Sequence, residues 1–161
     1  MKHIFKSVFL FAALVLAACQ GVVTEPEGDS DLELTNNNLS GDWQLTTFDN
    51  GAVLAEGTYV YVRFIRKDTK FEMYSNLQGN PDKPVRKTGT FALISDDEYG
   101  TLLDGLYDYT LEEHWSNPYQ VVLRPDGIMI LQSTGDPDDV SVFVRCTIPE
   151  EITSGFPSVE E

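Results

Sequence analysis

The feature that most constrains this chain is a series of eight short segments rich in β-branched and aromatic residues, separated by turn-forming residues. Such residues pack well on a pleated, half-buried surface, and several segments alternate between apolar and polar positions as strands do. The pattern therefore predicts an all-β domain. The segments are Asp42–Phe48, Thr58–Ile65, Lys70–Ser75, Lys87–Ile94, Thr101–Asp108, Tyr119–Arg124, Ile128–Gln132 and Val140–Thr147.

The links between these segments are mostly as short as hairpin turns. Arg66–Thr69 is a charged four-residue link, and Pro125-Asp126-Gly127 is the strongest short turn signal in the chain. Eight strands joined in this way predict an eight-stranded antiparallel up-and-down barrel, because closing the sheet removes edges that would promote aggregation. A two-sheet β-sandwich is the alternative, since periodicity does not separate the two architectures.

The first 19 residues have the pattern of an export signal. Lys2 and Lys6 precede an uninterrupted apolar run of 11 residues from Val8 to Ala18, and a secretory signal peptide combines these features. The run is shorter than the roughly 20 residues that cross the hydrocarbon core of a bilayer. We therefore expect residues 1–18 to be a signal peptide rather than a membrane span or a buried helix.

The end of this signal, Leu16-Ala17-Ala18-Cys19, resembles the lipobox of bacterial lipoproteins. The resemblance implies that a diacylglyceryl group is attached to Cys19, that a peptidase cuts before it and that the new amino end is acylated. More than one acyl chain makes membrane anchoring stable. Gln20 rather than an aspartate follows the cysteine, which in such lipoproteins implies sorting to the outer membrane, with the domain periplasmic or surface-exposed.

Composition divides the rest of the chain into three parts. Residues 19–38 are rich in Glu, Asp, Gly and Asn and lack hydrophobic periodicity, so they are predicted to be the lipidated cysteine and a flexible acidic tether. Residues 39–149 hold the predicted barrel. Residues 150–161 are predicted to be a polar carboxyl-terminal tail.

Three stretches of the predicted barrel resemble lipocalins. Gly41-Asp42-Trp43 opens the domain as it does on their first strand, and Gly89–Leu93 and Phe143–Pro149 are similar to the lipocalin-like domains of small lipoproteins from anaerobic gut bacteria. The resemblance covers most of 39–152. It implies a closed barrel end at which Arg145, from the last strand, lies over the Trp43 ring, so that both residues have a structural role.

The charge balance and the few reactive side chains exclude several functions. The chain has 11 Lys and Arg against 26 Asp and Glu, a formal charge of −15, which argues against nucleic-acid binding because that needs clustered cations. His114 is the one histidine beyond the signal, and no catalytic or phosphate-binding motif is present. The acidic runs 96–98 and 136–139 fit turns. We therefore expect no enzyme activity, no catalytic residue, no cofactor and no metal.

The aromatic side chains are the remaining indication of function. Tyr and Trp carry a polar tip on an apolar body, which suits the mouth of a ligand pocket. We predict that the lipid-anchored domain is a monomer and binds a small apolar or amphipathic molecule in the barrel. The alternative is a filled, non-enzymatic barrel that contacts an envelope protein or a glycan. The candidate ligand-binding residues are Tyr59, Tyr61, Phe91, Tyr107, Trp115 and Tyr119.

Overall fold

Eight antiparallel strands close into a barrel in the computed structural model of this chain, which describes residues 30–77, 84–108 and 114–156. Each barrel strand pairs with the next along the chain, and the first also pairs with the last. The predicted eight-stranded antiparallel barrel is therefore confirmed, and its closure excludes a sandwich. The barrel strands are β1 (Gly41–Phe48), β3 (Val60–Ile65), β4 (Lys70–Ser75), β5 (Val85–Asp96), β6 (Gly100–Tyr107), β7 (Tyr119–Leu123), β8 (Ile128–Ser133) and β9 (Val140–Cys146).

Each predicted segment corresponds to one barrel strand, with ends that agree within two residues. One further strand was not predicted: β2 (Ala52–Val53) turns back onto the end of β1. Asp49, Asn50 and Gly51 make this turn with positive φ angles of 43°, 56° and 119°. Asp, Asn and Gly adopt such angles most readily, so this triplet was a turn signal that the strand pattern alone did not reveal.

The two predicted hairpin turns are confirmed. Residues 66–69 join β3 to β4, and the amide of Thr69 donates to the carbonyl of Arg66. Between β7 and β8, Gly127 has a φ of 85°, and the Asp126 carboxylate accepts from the amide of Ile128 at 3.3 Å. The local turn chemistry therefore sets the register of both hairpins.

Apolar side chains from all eight barrel strands fill the described interior. The register places Trp43 opposite Val62 and Leu45 opposite Phe143, so that every second residue of each strand faces inward. The best buried members of this cluster are Leu39, Trp43, Val62, Phe64, Phe71, Phe91, Leu103, Leu123, Met129, Leu131 and Phe143.

One end of the barrel, which we call the capped end, is closed by the short helix α1 (Asn36–Leu39). Leu39 is fully buried, and the indole Nε1 of Trp43 donates to its carbonyl at 2.9 Å. The guanidinium of Arg145 lies 4.1 Å from the Trp43 ring centroid and donates to the carbonyls of Asn38 and Ser40. This is the contact that the lipocalin resemblance implies.

Gly41 makes the contact between Trp43 and Arg145 possible. Its φ is 123°, and a Cβ at this position would lie 2.5 Å from Nη1 of Arg145. Any side chain would therefore strain the backbone and displace the guanidinium. The glycine of the Gly-x-Trp motif is explained by these two constraints.

The segment before α1 crosses the capped end. The amide of Leu32 donates to the carbonyl of Leu123 at 2.7 Å, and Leu34 packs against the interior cluster. Contacts with the barrel thus begin before Asn38, the predicted end of the tether. The composition of this stretch is polar, but it contains leucines that pack on the barrel and Thr35, which caps α1. Residues 1–29, which include the predicted signal peptide and Cys19, lie outside the described residues.

The segment after β9 packs on the outer wall of the barrel. It contains the short helix α2 (Glu150–Thr153), and Ile148, Ile152 and Phe156 form a cluster with tyrosines of β3 and β4. The predicted polar tail therefore includes apolar residues that cover part of the sheet. Both helices are four residues long, and within the described ranges no helix could span a bilayer.

A network of charged side chains lies beside this outer cluster. Arg63 donates to both carboxylate oxygens of Asp42, at 2.6 and 3.0 Å, and Glu72 pairs with Arg63 and Arg86. Burial alone would raise the pKa of Asp42, but the hydrogen bonds from Arg63 and the Ile148 amide outweigh it and lower that pKa. The network thereby links β1, β3, β4 and β5.

Tyr74 belongs to the same network, because its hydroxyl donates to Glu72 at 2.8 Å. Burial and this hydrogen bond raise the pKa of Tyr74 to about 12. An unfolded tyrosine loses its proton near pH 10. The stabilisation from the protonated phenol is therefore complete below about pH 10 and is lost between about pH 10 and 12, since the unfolded chain binds fewer protons in that window.

We expect Tyr74→Phe to weaken the dependence of stability on alkaline pH. The free energy of unfolding, measured by guanidinium denaturation from about pH 8 to about pH 11.5, should fall less steeply in the variant than in the wild type. Tyr99→Phe is the matched control, because that side chain is 40% exposed, and it should keep the wild-type slope. Equal slopes for Tyr74→Phe and the wild type would contradict the prediction.

Candidate functional site

The barrel end opposite α1, which we call the distal end, carries the connections β1–β3, β4–β5, β6–β7 and β8–β9. Four aromatic side chains form a series of ring contacts that extends through the interior to this end, and we call them the distal cluster: Phe71, Tyr107, Trp115 and Tyr119. Phe71 makes edge contacts with Tyr107 and Trp115, with ring centroids 5.6 and 5.3 Å apart, and Trp115 makes one with Tyr119 at 5.8 Å. The distal cluster is thus a continuous aromatic surface.

Two glycines form the wall against which this aromatic surface packs. A Cβ at Gly89 of β5 would lie 2.6 Å from Cε1 of Phe71, and a Cβ at Gly105 of β6 would overlap Cε2 of Trp115. Both rings therefore lie directly on backbone where any other residue would have a side chain. Because Gly105 has no side chain, a recess lies above its backbone, and the indole of Trp115 fills it.

Trp115 differs from Trp43 in its hydrogen bonding. The indole Nε1 of Trp115 is enclosed and has no hydrogen-bond partner among the described residues, whereas that of Trp43 donates to Leu39. A buried donor without an acceptor costs about 1–3 kcal/mol. The recess above Gly105 therefore matches the shape of the indole but offers no described acceptor for its N–H group.

A single lysine approaches the distal cluster. Lys87 is opposite Met73 in the β4–β5 register and shares its face of the sheet with Gly89 and Phe91, which places it on the interior side. Its Nζ lies 5.3 Å from the ring centroid of Tyr107, a cation–π distance. Within the described part of the chain, no carboxylate pairs with Lys87.

The two phenols of the distal cluster are neutral at physiological pH. Burial raises the pKa of Tyr107. It also raises the pKa of Tyr119, to which the nearby Asp139 carboxylate contributes. Neutral phenols can donate or accept hydrogen bonds, so this end of the interior offers an apolar aromatic surface, hydroxyl groups and one cation.

The structure brings together three of the six predicted ligand-binding residues, namely Tyr107, Trp115 and Tyr119. Tyr59 and Tyr61 instead lie on the outer wall, in the cluster that the carboxyl-terminal segment covers. Their neighbours Val60 and Val62 alternate with them and are buried. Tyr59 and Tyr61 therefore do not line the interior, and this part of the predicted set is corrected.

Phe91 is interior, and its described ring contact is with Phe64 rather than with a member of the distal cluster. Its side chain is 4% exposed and contacts Phe64 edge-on, with ring centroids 5.2 Å apart. Phe64 is opposite Phe71 in the β3–β4 register, and Phe91 is opposite Gly105 in the β5–β6 register, so Phe91 adjoins the distal cluster within the same core. Phe91 is therefore a core residue in this structure.

Sequence reasoning missed Phe71, Lys87 and Gly105 as parts of the site. A signal for Lys87 was available. It is separated from Gly89, Phe91 and Leu93 by even numbers of positions along one strand, so its side chain is expected on the same face as theirs. Nothing comparable identifies Gly105, since its partner Trp115 comes from a connection whose path the pattern does not predict.

An apolar groove of about 430 Å³ lies at the distal rim. Val53 and Leu77, which border it, are 72% and 48% exposed. The groove is separate from the interior cluster. Its lining residues are Phe48, Val53, Leu54, Ala55, Thr58, Asn76 and Leu77.

The remaining polar candidates have turn or surface roles. Asp96 accepts from the amides of Glu98 and Tyr99, and Asp136 accepts from that of Asp138. His114 is 68% exposed and lies 3.7 Å from Asp104. Among the described residues, no group of three His, Cys, Asp or Glu side chains is arranged to hold a metal ion.

No protein-family model, no curated protein and no solved structure matches this chain. The function is therefore inferred from the geometry of the barrel and from the amino-terminal pattern.

We expect Gly105→Ala to destabilise the barrel by about 1–3 kcal/mol, because the added methyl group overlaps the Trp115 indole and overpacking a core costs about that much. Urea unfolding followed by circular dichroism measures the change. Gly155→Ala is the control, since a Cβ there meets only backbone oxygens at 3.7 and 4.0 Å. Wild-type stability in Gly105→Ala would show that the indole does not occupy the recess.

Proposed function

We propose that this chain is a lipid-anchored protein of the bacterial outer membrane, with a lipocalin-like barrel that binds a small amphipathic molecule in the interior at its distal end. The observation that carries the proposal is the arrangement of Lys87 and the distal cluster. An aromatic surface and one cation without a described carboxylate partner lie next to each other on the interior side of the sheet.

These groups favour a ligand with an apolar body and an anionic group. The aromatic surface contributes by burial of apolar area, at roughly 25 cal/mol per Å². The ammonium of Lys87 orients the anionic group, and the phenols of Tyr107 and Tyr119 supply further hydrogen bonds. Small-molecule sites commonly combine an apolar lining with a few polar groups of this kind.

The anchor is supported by the amino-terminal pattern and agrees with the charge of the domain. Basic residues, an apolar run and Leu16-Ala17-Ala18-Cys19 follow one another as in bacterial lipoproteins. The formal charge of −15 repels the domain from anionic lipid surfaces. Attachment through acyl chains on Cys19 would therefore hold a domain that does not itself adhere to the membrane.

We expect Lys87→Met to weaken binding of an anionic probe and to spare a neutral one. Anilinonaphthalene sulfonate and N-phenyl-1-naphthylamine share their ring system, but only the first carries a negative charge. In a fluorescence titration of the Cys19→Ser chain, Lys87→Met should raise the Kd of the sulfonate about tenfold, the equivalent of about 1.4 kcal/mol, and leave that of the amine unchanged.

Lys70→Met is the matched control for this titration, because Lys70 is on the neighbouring strand and its side chain is 52% exposed. It should bind both probes as the wild type does. Val53→Ser tests the rim groove and should also leave both Kd values unchanged. Failure of the wild type to bind either probe at a single saturable site would overturn the proposed ligand function.

We expect Cys19→Ser to release the protein from the membrane, because the serine cannot carry the diacylglyceryl group. After expression in a bacterial host, fractionation and metabolic labelling with a fatty acid measure the change. The wild type should be labelled and sediment with the outer membrane, and the variant should be unlabelled and soluble. Cys146→Ser is the control, since Cys146 lies in the outer-wall cluster. A variant that stays in the membrane fraction would refute the anchor.

The second candidate function, a non-enzymatic module that contacts an envelope protein or a glycan, is favoured by the rim groove. Exposed Val53 and Leu77 give it apolar edges, and exposed apolar patches often mark interaction sites. Loss of a copurifying partner in Val53→Ser, together with unchanged probe binding, would favour this candidate.

A further inference from the structure

We infer that the recess above Gly105 is a binding site for a planar aromatic ring and that the indole of Trp115 occupies this site in the ligand-free protein. This inference rests on the proposed ligand function and specifies the ligand class. The recess, which we call the indole slot, is bounded by the Gly105 backbone, the Phe71 ring and the Tyr119 ring.

The origin of the indole in the chain is the first reason for the inference. Within the distal cluster, Phe71, Tyr107 and Tyr119 belong to strands, whereas Trp115 comes from the connection between β6 and β7. Its side chain can leave by rotation about its own bonds without unpairing a strand.

The backbone of Trp115 is held in place while the side chain rotates. Its amide donates to the carbonyl of Gly105 at 2.8 Å, and His114 forms a bridge with Leu106. These contacts keep the residue next to the indole slot. The indole can therefore leave and return over a short distance, which makes it an intramolecular competitor of a ligand.

The chemistry of the indole slot favours a different occupant. The slot encloses the Nε1 of Trp115 without a described acceptor for its hydrogen. A ring without a buried donor would fill the same space and avoid that penalty, and the displaced indole could hydrogen-bond to water. The ligand class is therefore a planar aromatic compound. Because the ammonium of Lys87 lies over the Tyr107 ring of the same cluster, the natural ligand also carries an anionic substituent.

The size of the effect follows from competition between indole and ligand. A protein whose slot is empty in about one molecule of ten binds a ligand about tenfold more weakly than one whose slot is always empty. Removing the Trp115 side chain should therefore strengthen ring binding by about tenfold or more.

Nuclear magnetic resonance of the chain, labelled with ¹⁵N-tryptophan and carrying Cys19→Ser, tests the inference directly. The protein has two tryptophans, and Trp43 is an internal control because its indole hydrogen bonds to Leu39 at the capped end. When N-phenyl-1-naphthylamine is added, the Trp115 indole resonance should shift and its hydrogen should exchange faster with water. The Trp43 resonance should stay in place.

Variants provide the second measurement. Trp115→Ala should bind N-phenyl-1-naphthylamine about tenfold more tightly than the wild type and should bind free indole at one site. Trp115→Phe keeps a ring that can occupy the slot without a buried donor, so it should show no such gain. Trp43→Phe should show none.

The outcomes separate this inference from the proposed function. If the probe binds saturably while the Trp115 resonance stays fixed and Trp115→Ala binds no more tightly, the indole slot is refuted and the ligand function remains. If neither the wild type nor Trp115→Ala binds the probe or indole, both are refuted. Free indole binding by Trp115→Ala with a displaced Trp115 resonance in the wild type supports the inference.

Discussion

The pairing of β1 with β9 is the interaction on which the rest of this structure depends. It joins backbone positions about a hundred residues apart in the chain, such as Asp42 and Cys146, and the entropy cost of closing so long a loop has to be offset by the contacts formed. Trp43 and Arg145 are opposite each other in this register. Their cation–π contact, worth about 0.5–2 kcal/mol, and the two hydrogen bonds from the guanidinium lie where the ring of strands closes.

Most of the fold was predictable because it is encoded locally. Each hairpin carries its own turn residues, and alternation within a segment such as Lys70–Ser75 needs no knowledge of its neighbours. Arg66–Thr69 and Pro125-Asp126-Gly127 are examples in which the turn alone defines the pairing of the flanking strands. Closure was favoured because it covers the edges of the sheet, but the β1–β9 pairing that excludes a sandwich is not encoded locally.

The face of each strand was less predictable than its position. Both faces of β3 carry apolar residues, because one face packs inside the barrel and part of the other is covered by Ile148, Ile152 and Phe156. Alternation therefore could not assign Tyr59 and Tyr61 to the outside. The residues that cover them come from the end of the chain, which its composition predicts to be a polar tail. The site likewise depends on residues that the strand pattern does not connect. Gly105 is part of the site only because the β6–β7 connection places the Trp115 ring on it.

The path of the amino-terminal segment has a consequence for how the molecule is presented. Because Leu32 meets Leu123 at the capped end, the described segment before α1 joins the barrel on the side away from Lys87 and Trp115. A molecule immobilised close to Leu32, on a sensor chip or on a vesicle, would point its distal end toward the bulk liquid. Small solutes could then enter and leave the distal end directly from that liquid, without diffusing between the domain and its support.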